Sequence, residues 1–573
     1  MNLRLLIGSV AFLSFAAGSS VQAQSSNTDY KGWHLKDRKA DTYYGISLNQ
    51  AYEQLKGRKS TPVIVGVIDS GIDTAHEDLK PVLWTNSKEI PGNGIDDDKN
   101  GYVDDYYGWN FLGNKDGRNI NKENMERARV YHRFKNKYDG KIINEDSLSA
   151  TEREEYKEWK RSASEISGNP EDQVELMFVE VILKNLKKQD SIIRDDMKRQ
   201  EYTLDELEAF EPKSDAAKKA RHGFLESKKV LNVEGTEKNT SIISQLDEYV
   251  DGKRRSLNAK DNPLHDYRAE IIKDNYFDFN DRYYGNPDVM GPDATHGTHV
   301  SGIIGAVRNN GIGMDGVADN VKLMMVRAVP DGDEYDKDIA LAIRYAVDHG
   351  AKVINMSFGK GYSPEKHWVD EAVKYAEKHD VLLIHAAGND ASNIDEKASY
   401  PSPQLRAYEN KPAPNFMTVG AIGDPSFQGG RILAPFSNYG KENVDVFAPG
   451  VKIYATMPGG NKYAFLQGTS MAAPVVAGVA ALIRSYFPQL TAVQVREAIE
   501  KTATQVTDAA VKVSIPGSNK EATLQDLSRT GGLLNAAAAI EYAAKLAGDK
   551  STVTPAASGN TEKKDKKKKA VKQ

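Results

Sequence analysis

Runs of apolar, mostly β-branched residues recur along this chain and alternate with stretches of helical periodicity. Near-continuous apolar runs of six to nine residues are typical of parallel strands that are buried on both faces. The runs lie at 63–68, 321–329, 351–358, 381–388 and 415–422, and the stretches with helical spacing include 47–55, 338–349 and 366–379. This alternation predicts an α/β fold with a mostly parallel sheet covered by helices.

The segment 115–285 has a different character, because it is rich in Lys, Glu, Asp and Arg. Asn169-Pro170 and the pair Thr203 and Glu206 are helix-start signals, the second a capping box. A set of apolar residues recurs at helical spacing after the first signal: Val174, Met177, Phe178, Val181 and Ile182. We expect a mainly helical insertion that packs this apolar face on the main body or projects from it. A solvated charged linker is the open alternative for its ends.

The two ends of the chain predict export and a charged tail. Residues 1–23 combine an early Arg4, an apolar run and a Val21-Gln22-Ala23 pattern, which is typical of a signal peptide cut after Ala23. The run is shorter than the roughly 20 residues that span a bilayer, and no transmembrane segment is expected. We therefore predict a periplasmic or extracellular protein. Residues 24–45 read as a polar lead-in, and 549–573 as a disordered Lys-rich tail, solvated or in weak contact with an anionic envelope surface.

Composition excludes several classes of site. The 76 Lys and Arg against 81 Asp and Glu give a net charge of -5, which does not predict a nucleic-acid partner. The chain has no cysteine, so disulfides, thiol nucleophiles and cysteine-ligated metals are excluded. An exported protein of this kind needs another means of stabilisation, such as a metal held by oxygen ligands.

Three polar residues occupy unusual settings. Ser470 lies in GTSMAAPVVAGVAAL, residues 468–482, where the following residues read as a core helix. A serine hydroxyl becomes a nucleophile only when a base takes its proton, and that base needs an orienting acid. DATHGTHVSGIIGA offers His296 and His299, and Asp69 stands where a buried strand ends. Acids at the carboxyl ends of parallel strands lie at the crevice where α/β proteins bind ligands.

The segments DSGID, HGTHVSGIIGA and GTSMAAPVVAGVAAL, in this order, resemble the three active-site signatures of the subtilisin-like serine proteases. The resemblance covers about 45–115 and 290–548. It implies a three-layer α/β/α fold, with the catalytic domain at 46–114 and 286–548. It also implies that Ser470 is the nucleophile, His296 the general base and Asp69 the acid that orients it, whereas His299 is structural.

The same resemblance extends to the oxyanion hole and the substrate-binding segments. AAGND at 386–390 matches a family element, which implies that the Asn389 amide and the Ser470 N–H stabilise the oxyanion. The resemblance further implies that Ser357, Phe358 and Gly359 pair with extended substrate backbone. Ala386, Ala387 and Gly388 would line the pocket for the residue before the cut. Polypeptides are the expected substrates of this serine endopeptidase, and no organic cofactor is expected.

An acidic loop at 91–111 reads PGNGIDDDKNGYVDDYYGWNF. Residues with oxygen ligands match the spacing of an EF-hand-like loop: Asp96, Asp98, Asn100 and Asp104, with Tyr102 offering its carbonyl. Position 12 of such a loop is Tyr107 in place of Glu, so the full EF-hand is missing. Similar stretches in the family carry calcium, and we expect structural Ca²⁺ here, with a plain acidic turn as the alternative.

Two features depart from the family pattern. Asp69 and His296 are 227 residues apart, so the charged insertion lies between two catalytic residues, and the lead-in is too short for a folded pro-domain. Either the insertion restricts access to the cleft or it only extends the core. A binding scaffold on an inactive protease fold stays open as a rival. An ester hydrolase is disfavoured because Ser470 lacks a G-x-S-x-G motif.

Overall fold

Seven parallel strands form the central sheet of the computed structural model, which describes residues 30–548 apart from 169, 232, 234, 236 and 410. In chain order the strands are β1 Val63–Asp69, β2 Gly108–Asn110, β3 Val321–Arg327, β4 Val353–Met356, β5 Leu382–Ala386, β6 Gln404–Leu405, β7 Lys411–Pro412, β8 Phe416–Ile422, β9 Val446–Pro449, β10 Ile453–Met457 and β11 Lys462–Leu466. The sheet order is β2-β3-β1-β4-β5-β8-β9, and β10-β11 and β6-β7 form two small antiparallel ladders. Each predicted apolar run contains one strand of the central sheet.

Helices cover both faces of the sheet, which confirms the three-layer α/β/α fold. In chain order the helices are α1 Leu48–Leu55, α2 Glu126–Tyr138, α3 Ala150–Glu165, α4 Pro170–Met197, α5 Leu204–Ala209, α6 Asp215–Leu231, α7 Asn239–Asn258, α8 Thr295–Gly305, α9 Asp336–Asp348, α10 Lys366–Lys378, α11 Thr469–Tyr486, α12 Ala492–Lys501 and α13 Ala536–Leu546. One apolar core lies between the sheet and α1, α8, α11, α12 and α13. A second core lies between the opposite face and α9 and α10.

The sheet order changes direction at β1. The chain places β3 on one side of β1 and then β4 on the other, so the connections from these strands diverge there. In open parallel sheets the carboxyl ends of the strands at such a point form the ligand-binding crevice. The predicted Asp69 is the last residue of β1 and lies at this crevice.

Helix α11 runs through the centre of the first core. By length and composition it is the one helix among the described residues that suffices to cross a membrane, although 89% of that stretch is buried inside the protein. Such burial is what a core helix requires, because an apolar surface that contacts protein on all sides is removed from water. The predicted signal peptide and the Lys-rich tail lie outside the described residues.

The predicted insertion carries helices α2–α7. Buried apolar residues of α4, α5, α6 and α7 form a core of their own, and α2 and α3 form another that includes Tyr362, which follows β4. The capping box on Thr203 and Glu206 is confirmed at the start of α5. The chain leaves and returns side by side, because Asn110 and Asn286 exchange two backbone hydrogen bonds of 3.0 and 3.1 Å.

The prediction of which apolar residues of α4 pack against a partner is wrong. Val174, Met177, Phe178 and Val181 are exposed, with 66% of Val174 and 67% of Met177 accessible, and only Ile182 is partly buried. The helix turns a different set of residues to the core: Val179, Leu183, Leu186 and Ile193. Both sets have helical spacing, and spacing alone does not tell which of two apolar stripes meets a partner.

The lead-in is more than the extended polar segment that its composition predicts. Trp33 is fully buried, and its indole N–H donates to the carbonyls of Val451 and Lys452, both at 3.1 Å. Ile46 is also fully buried in the core beneath the sheet. A single turn of helix, Arg38–Asp41, lies between these two anchors. The described part of the lead-in therefore packs into the same core as the central sheet.

Candidate active site

Asp69 and His296 form a hydrogen-bonded pair at the end of β1. The Asp69 carboxylate is buried, and its Oδ1 accepts from the Ser70 backbone N–H and from His296 Nδ1–H, both at 2.7 Å. An ionised carboxylate only accepts hydrogen bonds, so Nδ1 carries the proton. Nε2 of His296 is then the ring nitrogen that is free to accept a proton.

The pKa of His296 reflects two opposing effects. Burial lowers it, but the negative charge of Asp69 and the hydrogen bond to it outweigh burial and raise the pKa above the ordinary value of 6.5. The side chain keeps 31% of its surface accessible. His296 therefore combines a fixed tautomer, increased basicity and access from solvent.

Close packing of α8 on the end of β1 sets the distance within this pair. A Cβ at Gly297 would lie 2.2 Å from the Gly71 carbonyl oxygen and 3.1 Å from Cβ of Asp69. Any side chain there would push the helix that carries His296 away from the strand that carries Asp69. His299, one turn further on, is buried and donates from Nε2 to the carbonyls of Ile453 and Ala464. Burial lowers its pKa to about 3, consistent with the expected structural role.

Ser470 lies in the first turn of α11 and is joined to the segment after β4. Its Oγ donates to the Ser357 carbonyl at 3.2 Å, and Ser357 Oγ donates to the Ser470 carbonyl at 2.9 Å. Asn355 Nδ2 donates to Ser357 Oγ at 2.9 Å and so orients this hydroxyl. Within the part of the chain that the structure describes, Ser470 Oγ bonds to Ser357 and not to His296.

Strand pairing brings the two halves of the site to one edge. Ile68 of β1 is the register partner of Met356 of β4. Asp69 and Ser357 are the next residues on these neighbouring strands, and adjacent strands lie about 4.8 Å apart. Since Ser357 exchanges hydrogen bonds with Ser470, the serine lies beside the strand end that holds the Asp69–His296 pair.

Asn389 is fixed so that its amide donor is free. Its Oδ1 accepts from the Thr469 backbone N–H at 2.9 Å and from Thr469 Oγ1 at 3.0 Å. A Cβ built on Gly468 would lie 3.6 Å from both Asn389 Nδ2 and the Ser470 backbone nitrogen. The two nitrogens therefore border one space over Gly468, and two N–H donors that border one space are the arrangement that stabilising an oxyanion requires.

The predicted substrate-binding residues follow the ends of β4 and β5. Ser357, Phe358, Ala386 and Ala387 are buried, Gly388 is half-buried and Gly359 is exposed. The structure brings the two segments side by side, because β4 and β5 are neighbours in the sheet.

Two further residues hold these segments and were not identified from the sequence. His385 Nε2 donates to the Phe358 carbonyl at 2.9 Å, and burial lowers the pKa of His385 to about 4, so the ring is neutral. Asn438 Nδ2 donates to the Ala387 carbonyl, while its Oδ1 accepts from the N–H groups of Asp390 and Ser392. A polar residue within the apolar run VLLIHAAG was the available signal for His385; Asn438 had none.

The acidic loop brings only part of the predicted ligand set together. Carboxylate oxygens of Asp96 and Asp98 lie within 4.8 Å of one another and of Glu89, which the sequence analysis missed. Asp104 points elsewhere, since its two oxygens accept from the backbone N–H groups of 92, 93 and 94. Asn100 uses Oδ1 to accept from the Tyr102 N–H and Nδ2 to donate to Asp105.

The buried Glu89 organises this loop. It accepts from the backbone N–H groups of Asp97 and Asp98 through Oε1 and of Asp104 through Oε2. Burial raises the pKa of Glu89, and the nearby charge of Asp105 adds to the effect. Glu89 precedes the loop motif in sequence, which is why motif spacing alone does not find it.

Comparison with known proteins agrees with this geometry. A model of the subtilase family matches residues 60–515. A thermophilic serine proteinase of Bacillus sp. (strain AK1) is 41% identical over 243 residues, which are 42% of this chain and 53% of that protein. Subtilisin DY of Bacillus licheniformis is 38% identical over 218 residues, which are 37% of this chain and 72% of that protein.

A solved structure of proteases from Pseudoalteromonas arctica PAMC 21717 is 30% identical, with a TM-score of 0.35, and covers 44% of this chain and 74% of that one. The chain spans about half the length of the thermophilic proteinase and a quarter of the cell wall-associated protease of Bacillus subtilis (strain 168), at 53% and 25%. The family model nevertheless extends from before β1 to beyond α12 and includes Asp69, His296, Asn389 and Ser470, so the chain belongs to the subtilase family.

Proposed function

We propose that this chain is an exported serine endopeptidase that hydrolyses peptide bonds through an acyl-enzyme on Ser470. The observation that carries the proposal is that the Asp69–His296 pair lies at the carboxyl end of β1, while Ser470, at the start of α11, exchanges hydrogen bonds with Ser357 at the end of the adjacent strand β4. A base held by a buried acid beside a serine at a helix start is the arrangement that acyl transfer requires.

In the proposed reaction Ser470 Oγ attacks the carbonyl carbon of the scissile bond while His296 Nε2 takes the hydroxyl proton. Asp69 keeps the proton on Nδ1 and stabilises the imidazolium. The carbonyl oxygen becomes an oxyanion that Asn389 Nδ2 and the Ser470 N–H stabilise. His296 then gives its proton to the leaving amine, and water activated by the same imidazole releases the acyl group.

The bond from Ser470 Oγ to the Ser357 carbonyl describes a resting arrangement. For the reaction, the hydroxyl exchanges this acceptor for His296 Nε2. The Ser357 carbonyl is then available to a backbone N–H of an extended substrate, as proposed for the segment Ser357–Gly359. The proposed pocket for the residue before the cut is lined by the small residues Ala386 and Gly388, with Phe358 nearby. Such a lining favours substrates with an apolar residue there, or a broad range of residues.

Export is part of the proposal. The signal-peptide pattern at 1–23 supports it, and one relative at 36% identity is named a cell wall-associated protease. The proposal also includes the domain boundaries. The catalytic domain comprises residues 46–114 and 286–548, and the insertion comprises residues 115–285.

A fluorophosphonate probe tests the assembled site. We expect the purified chain, lacking residues 1–23, to be labelled covalently, and Ser470→Ala to remain unlabelled because it has no nucleophile. Thermal unfolding of the two proteins controls for misfolding. A folded wild-type protein that takes up no label would favour the rival reading of a binding scaffold on an inactive protease fold.

Asn389→Asp separates the two functions of the amide. The substitution keeps Oδ1 as acceptor for Thr469 but removes the Nδ2 donor. We expect kcat to fall about 10²- to 10³-fold, the loss seen when one such donor is removed from subtilisin. KM should change little. Unchanged kcat in a folded Asn389→Asp protein would remove Asn389 from the oxyanion hole.

The pH dependence follows from the raised pKa of His296. The base must be neutral, so kcat/KM should rise with pH on a limb whose midpoint lies above 6.5. Asp69→Asn removes the charge that raises this pKa, while burial persists, so the midpoint should move to lower pH. We also expect a loss in kcat of about 10⁴-fold, because the tautomer is no longer fixed. If the midpoint of the rising part of the pH profile is the same in Asp69→Asn as in the wild type, the proposed pairing of Asp69 with His296 is contradicted.

We propose further that the acidic loop holds a structural Ca²⁺ through Glu89, Asp96 and Asp98. Ca²⁺ takes oxygen ligands at about 2.4 Å, so ligands on opposite sides of the ion are separated by about 4.8 Å. One carboxylate oxygen from each of the three residues lies within that distance of the other two. The ion would neutralise the mutual repulsion of these acids and supply rigidity that the cysteine-free chain cannot obtain from disulfides.

Calcium dependence of the melting temperature tests this site. We expect Tm to fall on chelation, since calcium at about 100 times its Kd contributes about 2.7 kcal/mol. Asp96→Asn/Asp98→Asn should melt at the chelated value with or without calcium. Asp116→Asn, at an exposed acid that pairs with Arg118, is the matched control and should keep the wild-type shift. A full calcium shift in the double variant would place the ion elsewhere.

A further inference from the structure

A short backbone edge of three residues, Ser357 to Gly359, begins beside the proposed nucleophile. The carbonyls of Ser357 and Phe358 are engaged by Ser470 and His385. Gly359 is exposed, and among the described residues its backbone N–H and C=O have no hydrogen-bond partner. An extended peptide that pairs with Ser357–Gly359 therefore finds unused backbone groups at Gly359.

The next residue closes this edge. Lys360 exchanges backbone hydrogen bonds of 3.0 and 2.9 Å with Tyr400, so its N–H and C=O are already paired. Its side chain, 2% exposed, crosses to the start of α9: Nζ donates to the Glu334 carbonyl at 2.7 Å and lies 2.9 Å from Asp336, the first residue of α9. Backbone and side chain together leave no open edge beyond Gly359.

The insertion locks Lys360 in place. Glu126, the first residue of α2 and 4% exposed in its side chain, accepts from Lys360 Nζ at 2.7 Å. The Glu126 backbone N–H donates to Asp333, and Arg129 donates to the carbonyls of Asp333 and Glu334. Helix α2 thus binds both sides of the gap between the segment 333–336 and Lys360. Breaking one member of such a buried pair leaves an uncompensated charge, so the contact is held firmly.

The closed end faces the residues that precede the cut. The proposed pocket for the residue before the cut lies between Ser357–Gly359 and Ala386–Gly388, which extend neighbouring strands. Earlier residues of the substrate continue along Ser357–Gly359, away from Ser470. At about 3.3 Å per residue, this edge offers roughly 10 Å, the length of three residues.

We propose that α2 of the insertion, through the Glu126–Lys360 ion pair, closes the acyl side of the cleft, so that substrates are held over three residues before the scissile bond. This inference rests on the proposed function. The enzyme's substrates are then polypeptides whose chain leaves the groove after the third residue, which requires an unfolded or strongly bent segment. The insertion between two catalytic residues acts here as a specificity element.

A series of capped peptide p-nitroanilides with one to six residues before the leaving group tests the closure. We expect kcat/KM to rise up to the third residue and to change less than about twofold with the fourth and fifth. A rise of about tenfold or more at the fourth residue overturns the inference. If no peptide is cleaved and the fluorophosphonate does not label Ser470, the proposed function itself has failed, which is a distinct result.

A pair of double variants tests the named residues. Lys360→Ala/Glu126→Ala removes both charges of the ion pair, and we expect the fourth residue then to increase kcat/KM about fivefold or more. Lys337→Ala/Asp274→Ala removes an equally buried pair, 2.7 Å apart, between α9 and the returning end of the insertion, and should keep the plateau at three. A folded Lys360→Ala/Glu126→Ala protein with the wild-type plateau overturns the role of this pair. If the double variants do not fold, the wild-type series alone decides.

Discussion

The Asp69–His296 pair, the proposed base and its orienting acid, depends on a close contact between a helix and a strand end. Gly297 follows His296 in α8, and its missing side chain lets the helix approach the Gly71 carbonyl and Cβ of Asp69. At this approach His296 Nδ1 and Asp69 Oδ1 are 2.7 Å apart. The raised pKa of His296 and the fixed proton on Nδ1 follow from the bond, because an acid further away would no longer offset burial. The absence of a side chain at Gly297 thus allows the close approach, and the close approach raises the pKa of His296.

The nucleophile is positioned by a second, independent set of bonds. The reciprocal bonds between Ser357 and Ser470 join the start of α11 to the end of β4. Thr469 orients Asn389, and Asn438 holds the loop that carries it. None of these bonds involves residues 115–285, so Ser470 and the proposed oxyanion donors are held by contacts outside the proposed insertion.

Sequence reasoning predicted the sheet and its layers, and it singled out Asp69, His296 and Ser470 as the proposed triad, because each has a local signature: an apolar run, a helical spacing or a motif. It failed where the answer depends on residues far apart in sequence. The exposed stripe Val174 to Val181 and the buried one beginning at Val179 have the same spacing, and only the partner helices decide between them. Glu89 lies before the acidic motif, and the burial of Trp33 depends on a carbonyl 418 residues away. No local sequence pattern marks Lys360 as a buried, paired residue, because its partner Glu126 lies more than two hundred residues earlier in the chain.

The exchange of hydrogen bonds between Asn110 and Asn286 has a consequence for how this protein changes over evolutionary time. The whole helical segment enters and leaves through one pair of adjacent backbones, so its length and content are nearly independent of the path of the sheet. The entropic cost of closing a loop grows only slowly with its length. Residues added between Asn110 and Asn286 therefore reduce the stability of the fold only slightly. The length of the segment can therefore change with little effect on the path of the sheet, whereas the buried ion pair of Glu126 with Lys360 keeps the start of α2 at the substrate edge.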